Sequence, residues 1–177
     1  MAIDLYSKNL TTQEISEIHK LAGPILIFGA SGFIGTNLFL TLSQCRDDIF
    51  GCSRNIKSNQ KYAGCSQRSL INIDVTEYKN LSDLILEIRP KTVFNLSSYG
   101  GHSHQTDIDK IHRVNYIGTS NLIRALSDID CGAFIQTGSS SEYGLNGTAP
   151  DENSELEPNS DYAVSKIGAS YLVKYHG

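Results

Sequence analysis

Ile25-Leu26-Ile27-Phe28-Gly29-Ala30-Ser31-Gly32-Phe33-Ile34-Gly35-Thr36-Asn37-Leu38-Phe39-Leu40 runs from an unbroken apolar tetrad through three glycines spaced GxxGxxG into a segment of helical period. A strand buried on both faces reads as such a continuous apolar run, the signature of an internal strand in a parallel sheet. Glycine is required where the backbone turns sharply and where it must come within contact distance of a pyrophosphate, and a third small residue lets helix and strand pack closely. The helix that follows aims its unpaired N–H groups and the positive end of its dipole at that position. With 15 glycines in 177 residues the spacing alone arises easily by chance, so the strand-turn-helix context carries the inference of a dinucleotide site. The alternative is a glycine-rich turn without a ligand.

Working outward, short β-rich runs alternate with longer helical segments. Strands are expected at Ile25–Phe28, Ile49–Cys52, Ser69–Ile73, Thr92–Leu96 and Ala133–Thr137. Helices are expected at Phe33–Ser43, Glu77–Ile88, Gln105–Ser127 and Tyr162–Tyr175, with a weaker candidate at 58–63. Upstream, Thr11-Thr12-Gln13-Glu14 has the capping-box pattern, and Ile15, Ile18 and Leu21 follow at helical spacing until Gly23-Pro24. The expected fold class is α/β, a doubly wound parallel sheet, with a helical extension over 1–22 and a dinucleotide-binding domain over 23–177. Such a sheet binds its ligand beyond the carboxyl ends of its strands, so chemistry is to be sought directly after each strand.

Composition narrows the partners. Lys and Arg total 15 against 19 Asp and Glu, a net charge of −4, and this balance excludes the basic footprint of a nucleic-acid or anionic-membrane binder. The first residues lack a basic stretch followed by an apolar one, and no apolar run approaches the roughly 20 residues needed to span a bilayer, which points to the cytoplasm. Cys45, Cys52, Cys65 and Cys131 have no CxxC spacing and read as reduced thiols.

After the second strand, where an NAD-preferring fold usually carries an acid for the ribose 2′-hydroxyl, stand Ser53 and Arg54. A guanidinium and no carboxylate favours NADP over NAD. After the third strand, Asp74-Val75 either brackets an adenine or caps the next helix. Tyr162 and Lys166 are four apart and share a helix face; an ammonium beside a phenol stabilises the phenolate and makes the pair a proton exchanger near neutral pH. Thr137-Gly138-Ser139-Ser140-Ser141-Glu142-Tyr143-Gly144 places hydroxyls at the carboxyl edge of the fifth strand, donors for a developing alkoxide.

These motifs in this order resemble the extended short-chain dehydrogenase/reductases, the NAD(P)-dependent nucleotide-sugar epimerase/dehydratase family. The resemblance rests on Gly29-x-x-Gly32-x-x-Gly35, Asp74-Val75, Asn95-Leu96-Ser97-Ser98, Val114-Asn115-Tyr116-Ile117-Gly118-Thr119, Ser139 to Gly144, Pro150-x-Glu152 and Tyr162-x-x-x-Lys166, from about Gly23 onward. It implies a Rossmann fold with Ser139, Tyr162 and Lys166 as catalytic residues. It further implies cofactor contacts from Gly29, Gly32, Phe33, Ile34, Gly35, Ser53, Arg54, Asp74, Val75, Leu96, Ser97, Ser98, Asn115, Tyr162 and Lys166. The implied partners are a nucleotide-sugar substrate and, through the helices at 105–127 and 162–175, a second copy of the chain. Family dehydratases carry a carboxylate two residues before the loop tyrosine. Here that position is Ser141, and Glu142 is one place late, which favours 4-epimerisation or 4-keto reduction over 4,6-dehydration. Family members continue well beyond the Tyr162 helix, so the resemblance also implies a truncated domain without its substrate-gripping region. A non-catalytic dinucleotide-binding fragment is therefore the competing class of function.

Other residues read plainly. His102 and His104 lack a third ligand of compatible spacing, so no metal site is expected; Tyr99 or His102 could contact substrate, although simple loop polarity explains them as well. His19, His112 and His176 read as surface residues, and 151–157 as a solvated acidic loop.

Overall fold

A computed structural model describes residues 10–56, 62, 65–145 and 149–177. Five parallel strands, β1 (Ile25–Phe28), β2 (Ile49–Ser53), β3 (Leu70–Asn72), β4 (Thr92–Asn95) and β5 (Ala133–Gln136), form one sheet in the order β3-β2-β1-β4-β5. The doubly wound α/β fold expected from the alternating pattern is therefore the one observed. β1 is central, with Ile25 paired to Ile49 on one side and to Thr92 on the other. The chain reverses direction across the sheet between β1 and β4, and this switch point opens a crevice at the carboxyl ends of the strands.

All four β1 side chains are buried, because both faces of the strand are covered. Ile25 and Ile27 join Phe39, Leu42 and Ile18 on one face, from α2 (Phe33–Leu42) and α1 (Thr12–Lys20). Leu26 and Phe28 join Leu81, Ile85, Leu122 and Leu126 on the other, from α3 (Tyr78–Ile88) and the helix after β4. Each such side chain contributes roughly 1.5–3 kcal/mol. Four of them on one strand together match the net stability of a typical domain, which anchors β1. Thr11 caps α1 through the expected box with Glu14, and Arg46 holds its carboxyl end by donating to Ile18 O and Leu21 O.

The segment expected as one helix over 105–127 is divided. Asp107 accepts from Lys110 N and starts α4 (Ile108–His112), so residues 105–107 precede the helix. Arg113–Ile117 then forms a π turn, in which Gly118 N bonds Arg113 O, before α5 (Gly118–Leu126). Thr119 Oγ1 donates to Asn115 O at 2.7 Å, and a Cβ at Gly118 would lie 2.7 Å from Val75, so a small residue is needed where the helix widens. α6 (Asp161–His176) follows β5, starting at the Ser160 cap. The candidate helix at 58–63 falls outside the described residues except for Tyr62. Among the described residues no helix is long and apolar enough to cross a membrane. All four cysteines are free thiols.

Candidate active site

Two cavities flank the loop after β4. The first, about 250 Å³, lies over the switch point and is lined by Gly29, Ser31 and Gly32 of the glycine turn, Ser53 and Arg54 after β2, Asp74 and Val75 after β3, and Leu96, Ser97 and Ser98 after β4. Its floor is backbone. Gly29 has φ +75°, and a Cβ there would stand 2.5 Å from the Leu96 carbonyl; a Cβ at Gly35 would stand 2.3 Å from Gly29 O. The first glycine lets strand ends meet and the third lets α2 meet β1, the distinct roles the spacing predicts.

α1 is capped by a threonine, whereas α2 begins at Gly32 with no side-chain cap and no acid in its first turn. Its leading N–H groups are thus available to an anion in the cleft. Ser31 Oγ and Ser53 Oγ are hydrogen bonded at 2.7 Å and tie the glycine turn to the end of β2. Tyr62 and Thr36 both donate to Ala30 O, locking the turn from beneath. Asp74 Oδ1 accepts from Thr76 N and Thr76 Oγ1 at 2.9 and 2.8 Å, so this carboxylate shapes the turn and lines the cleft at once. Cys52 also lines the cleft, and burial pushes its thiol up, so it sets no negative charge against a diphosphate. A glycine cradle, an uncapped helix start and a cleft of this shape fit a dinucleotide.

The second cavity, about 460 Å³, is lined by Gly100, Gly101 and His102, by Ile108 and Ile111 of α4, by Ser141, and by Ser160, Asp161 and Tyr162 of α6. The Tyr162 ring lies against the Gly100–Gly101 turn, close enough that a Cβ at Gly101 would stand 3.7 Å from its hydroxyl. That turn is folded by Gln105, whose Oε1 accepts from Gly100 N at 2.9 Å and His102 N at 3.3 Å. One helical turn beyond Tyr162, Lys166 is 1% exposed and donates to Thr137 O at 2.6 Å. Burial lowers its pKa below the ordinary lysine value, and the charge of Glu142 opposes that shift.

Ser139 heads the 3₁₀ turn Ser140–Tyr143; its Oγ accepts from Ser141 N at 3.2 Å, and its own N–H donates to Glu142 Oε1 at 2.7 Å. The π turn aims Asn115 inward, where it donates to Tyr99 O and Ser165 Oγ and accepts from Tyr99 N. Asn115 therefore joins the β4 loop to α6 behind Tyr162.

Of the sequence-predicted residues, Gly29, Gly32, Ser53, Arg54, Asp74, Val75, Leu96, Ser97 and Ser98 gather on the first cavity and Tyr162 on the second. Gly35 is packed between helix and strand, and Phe33 and Ile34 are 82% and 60% exposed on the outer first turn of α2. Asn115 and Lys166 are buried and Ser139 is half-buried in the loop after β5, and none of the three is a lining residue of either cavity. Sequence reasoning did not single out Ser31 or Gly101, which line the two cavities, or the Thr137 carbonyl, which accepts from Lys166. The Gly100-Gly101 pair was the available signal, since paired glycines mark close backbone approach. The rings of His102 and His104 stack with centroids 5.5 Å apart, and among the described residues no three His, Cys, Asp or Glu side chains group as a metal site.

Comparison with known proteins places this geometry. The chain is 28% identical over 153 residues to N-acetyl-alpha-D-glucosaminyl-diphospho-ditrans,octacis-undecaprenol 4-epimerase of Escherichia coli O157:H7, a match covering 85% of this chain and 42% of that protein. It is similar to the crystal structure of UDP-glucuronic acid 4-epimerase from Bacillus cereus in complex with NAD, with a TM-score of 0.72, 26% identity, and coverage of 86% of this chain and 52% of that one. Epimerase Mth375 of Methanothermobacter thermautotrophicus shares the fold at a TM-score of 0.78 and 20% identity, over 93% of this chain and 50% of that one. The chain spans less than half the length of the curated relatives it matches, 42% and 46%. The model of the NAD dependent epimerase/dehydratase family matches residues 25–177, which contain both cavities and every element between them. This chain, from β1 through α6, belongs to the NAD dependent epimerase/dehydratase family.

Proposed function

We propose that this chain forms the cofactor-binding and proton-transferring part of an enzyme that oxidises and reduces a nucleotide sugar at C4, as a 4-epimerase or 4-ketoreductase. The observation that carries the proposal is the placement of α6: Tyr162 lines a sugar-sized cavity while Lys166, on the same face, is buried against the loop after β5. Two relatives named as 4-epimerases support C4 as the reacting carbon.

Residues 23–177 act as the dinucleotide-binding unit, and α1 closes the amino ends of the strands. Gly29, Gly32 and the start of α2 hold the diphosphate, with Asp74, Val75, Leu96, Ser97 and Ser98 lining the remaining walls. The nicotinamide, when bound, accepts a hydride from the sugar and returns it. Tyr162 takes the proton from the sugar hydroxyl. Lys166 holds its ammonium near the phenol and binds the nicotinamide ribose, and Ser139 donates a hydrogen bond to the same sugar oxygen. Asn115 fixes α6 against the β4 loop.

Arg54 on the cleft wall, in the segment after β2 where an NAD-preferring fold carries an acid, gives NADP the advantage over NAD. Ser141 lines the cavity where a dehydratase needs a carboxylate, and the Glu142 carboxylate turns inward, so elimination across C5 and C6 is disfavoured. The outer sides of the π turn and α6 expose Tyr116, Ile117, Val164, Tyr171 and Tyr175, and through them the protein pairs with a second copy. Free thiols suit a cytoplasmic setting.

Incubating the protein with UDP-hexoses and NAD or NADP, with products resolved by NMR, tests this function. The expected product is the C4 epimer or the reduced 4-keto sugar. A 4-keto-6-deoxy product would install the dehydratase in its place, and cofactor binding with no turnover of any sugar would leave a binding module.

A further inference from the structure

We propose that Glu142 is a positioning residue that sets the register between the Ser139 loop and Tyr162; the inference rests on the catalytic roles proposed above for Ser139, Tyr162 and Lys166. Tyr162, Lys166 and Ser170 recur every four residues and share one face of α6. The loop after β5 lies along that face and is held at two points. Lys166 Nζ donates to Thr137 O at the loop's start, and Ser170 Oγ donates to Glu142 Oε2 at 3.3 Å near its end. The other carboxylate oxygen accepts the Ser139 N–H at 2.7 Å and lies against Gly138, where an added Cβ would approach it to 3.2 Å. Glu142 thus reaches Ser139 with one oxygen and the Tyr162 helix with the other.

The choice of a carboxylate is costly for the fold. Glu142 is 8% exposed, and among the described residues it makes no ion pair. Taking an ionised carboxylate out of water costs free energy that its partners must offset, and here those are the charge of Lys166 and the hydrogen bonds from Ser139 and Ser170. What a side chain with two polar atoms at its end supplies, and an apolar one cannot, is a rigid bridge between the loop and α6, whose bonds the charge strengthens further. A sliding loop would move the Ser139 hydroxyl relative to the Tyr162 phenol, and misplacement of about 1 Å can cost on the order of a hundredfold in rate.

The test compares Glu142→Leu, Glu142→Gln and Ser170→Ala with Tyr162→Phe in the full chain, using UDP-glucose and UDP-glucuronic acid as probes and amide hydrogen exchange at Ser139 as a readout free of turnover. Glutamine keeps an acceptor for Ser139 and a polar partner for Ser170; leucine keeps neither. The expected result for Glu142→Leu is a kcat at least tenfold lower with KM and NAD affinity within about twofold, and faster exchange at Ser139. Glu142→Gln recovers most of both. Should the leucine variant fail to fold, Ser170→Ala is expected to lower kcat about threefold at unchanged KM. Unchanged Ser139 exchange in the leucine variant, or wild-type kcat in it while Tyr162→Phe is inactive, overturns the positioning role alone. Full turnover by Tyr162→Phe overturns the proposed catalytic function instead. Equal losses in the leucine and glutamine variants, with NAD affinity lost as well, mark Glu142 as a fold residue and overturn the inference.

Discussion

The end of the molecule around β1 and the end around α6 build their cavities from different materials. Around β1 the wall is main chain: glycines whose missing Cβ atoms leave room for Leu96 and for α2 itself, and helix N–H groups left uncapped. Around α6 a side chain, Tyr162, is on the cavity itself, and Lys166, Ser139, Asn115 and Glu142 stand around it, these four held by another side chain or by a carbonyl. Backbone recognition suits a diphosphate because it has the same shape in every dinucleotide. Side-chain recognition suits a reacting sugar because one residue can be exchanged without unmaking the sheet. The first region should therefore couple binding to folding, and the second should not.

The sharpest break between them is Gly29→Val. A non-glycine residue at φ +75° carries roughly 1–2 kcal/mol of strain, and the overlap with the Leu96 backbone adds to it. Urea denaturation should show a loss of about 3 kcal/mol or more, with NAD binding abolished; a variant with wild-type stability would erase the contrast. Next in size, Tyr162→Phe should lower kcat by about 10²–10⁴ while the urea midpoint and NAD affinity stay near wild type. Loss of cofactor affinity in that variant would mean that the two regions are one site.

Arg54→Ser should be smaller, reducing the NADP-to-NAD affinity ratio about tenfold by calorimetry, the size of one charge-assisted hydrogen bond. Equal ratios in both proteins would remove Arg54 from cofactor choice.

The smallest expected effect is a divergence with pH. The Lys166 pKa in the folded protein is below the lysine value of 10.5, chiefly because burial disfavours the ammonium. Between those two pKa values the unfolded chain holds a proton that the folded chain has released, so Lys166 makes stability rise with pH across that window. In the proposed mechanism turnover needs the ammonium, so kcat should fall across the same window. Urea midpoints and kcat followed in parallel, with Lys166→Met as the reference for all other titrations, should therefore move in opposite directions. Parallel decline would place the proton elsewhere.

How much was legible follows the same division. Ile25–Phe28 could be read as a central strand because four consecutive apolar residues have no solvent-facing side, and GxxGxxG could be read as a turn because only glycine tolerates those backbone approaches. The Tyr162 and Lys166 face was legible because helical spacing puts i and i+4 together. The π turn at Arg113–Ile117 was not, since the 3.6-residue pattern runs through it and the close packing of Gly118 against Val75 beside it joins segments far apart in the chain. Phe33 and Ile34 belong to the motif through their backbone at the start of α2, while their side chains point outward, a direction that the motif spacing alone does not give.

Glu142 shows the boundary most clearly. By itself the sequence determined that a carboxylate stands one place after Ser141, that five strands alternate with helices, and that glycines occur where a diphosphate needs them, because these follow from spacing and from the conformational range of each residue type. Only the tertiary structure decided that Glu142 faces inward to Ser139 and Ser170, that Gly101 lies under the Tyr162 hydroxyl, and that Lys166 is buried at Thr137. The physical reason is range: local periodicity determines which side of an element a residue occupies, whereas its partner is chosen by packing between segments far apart in the chain.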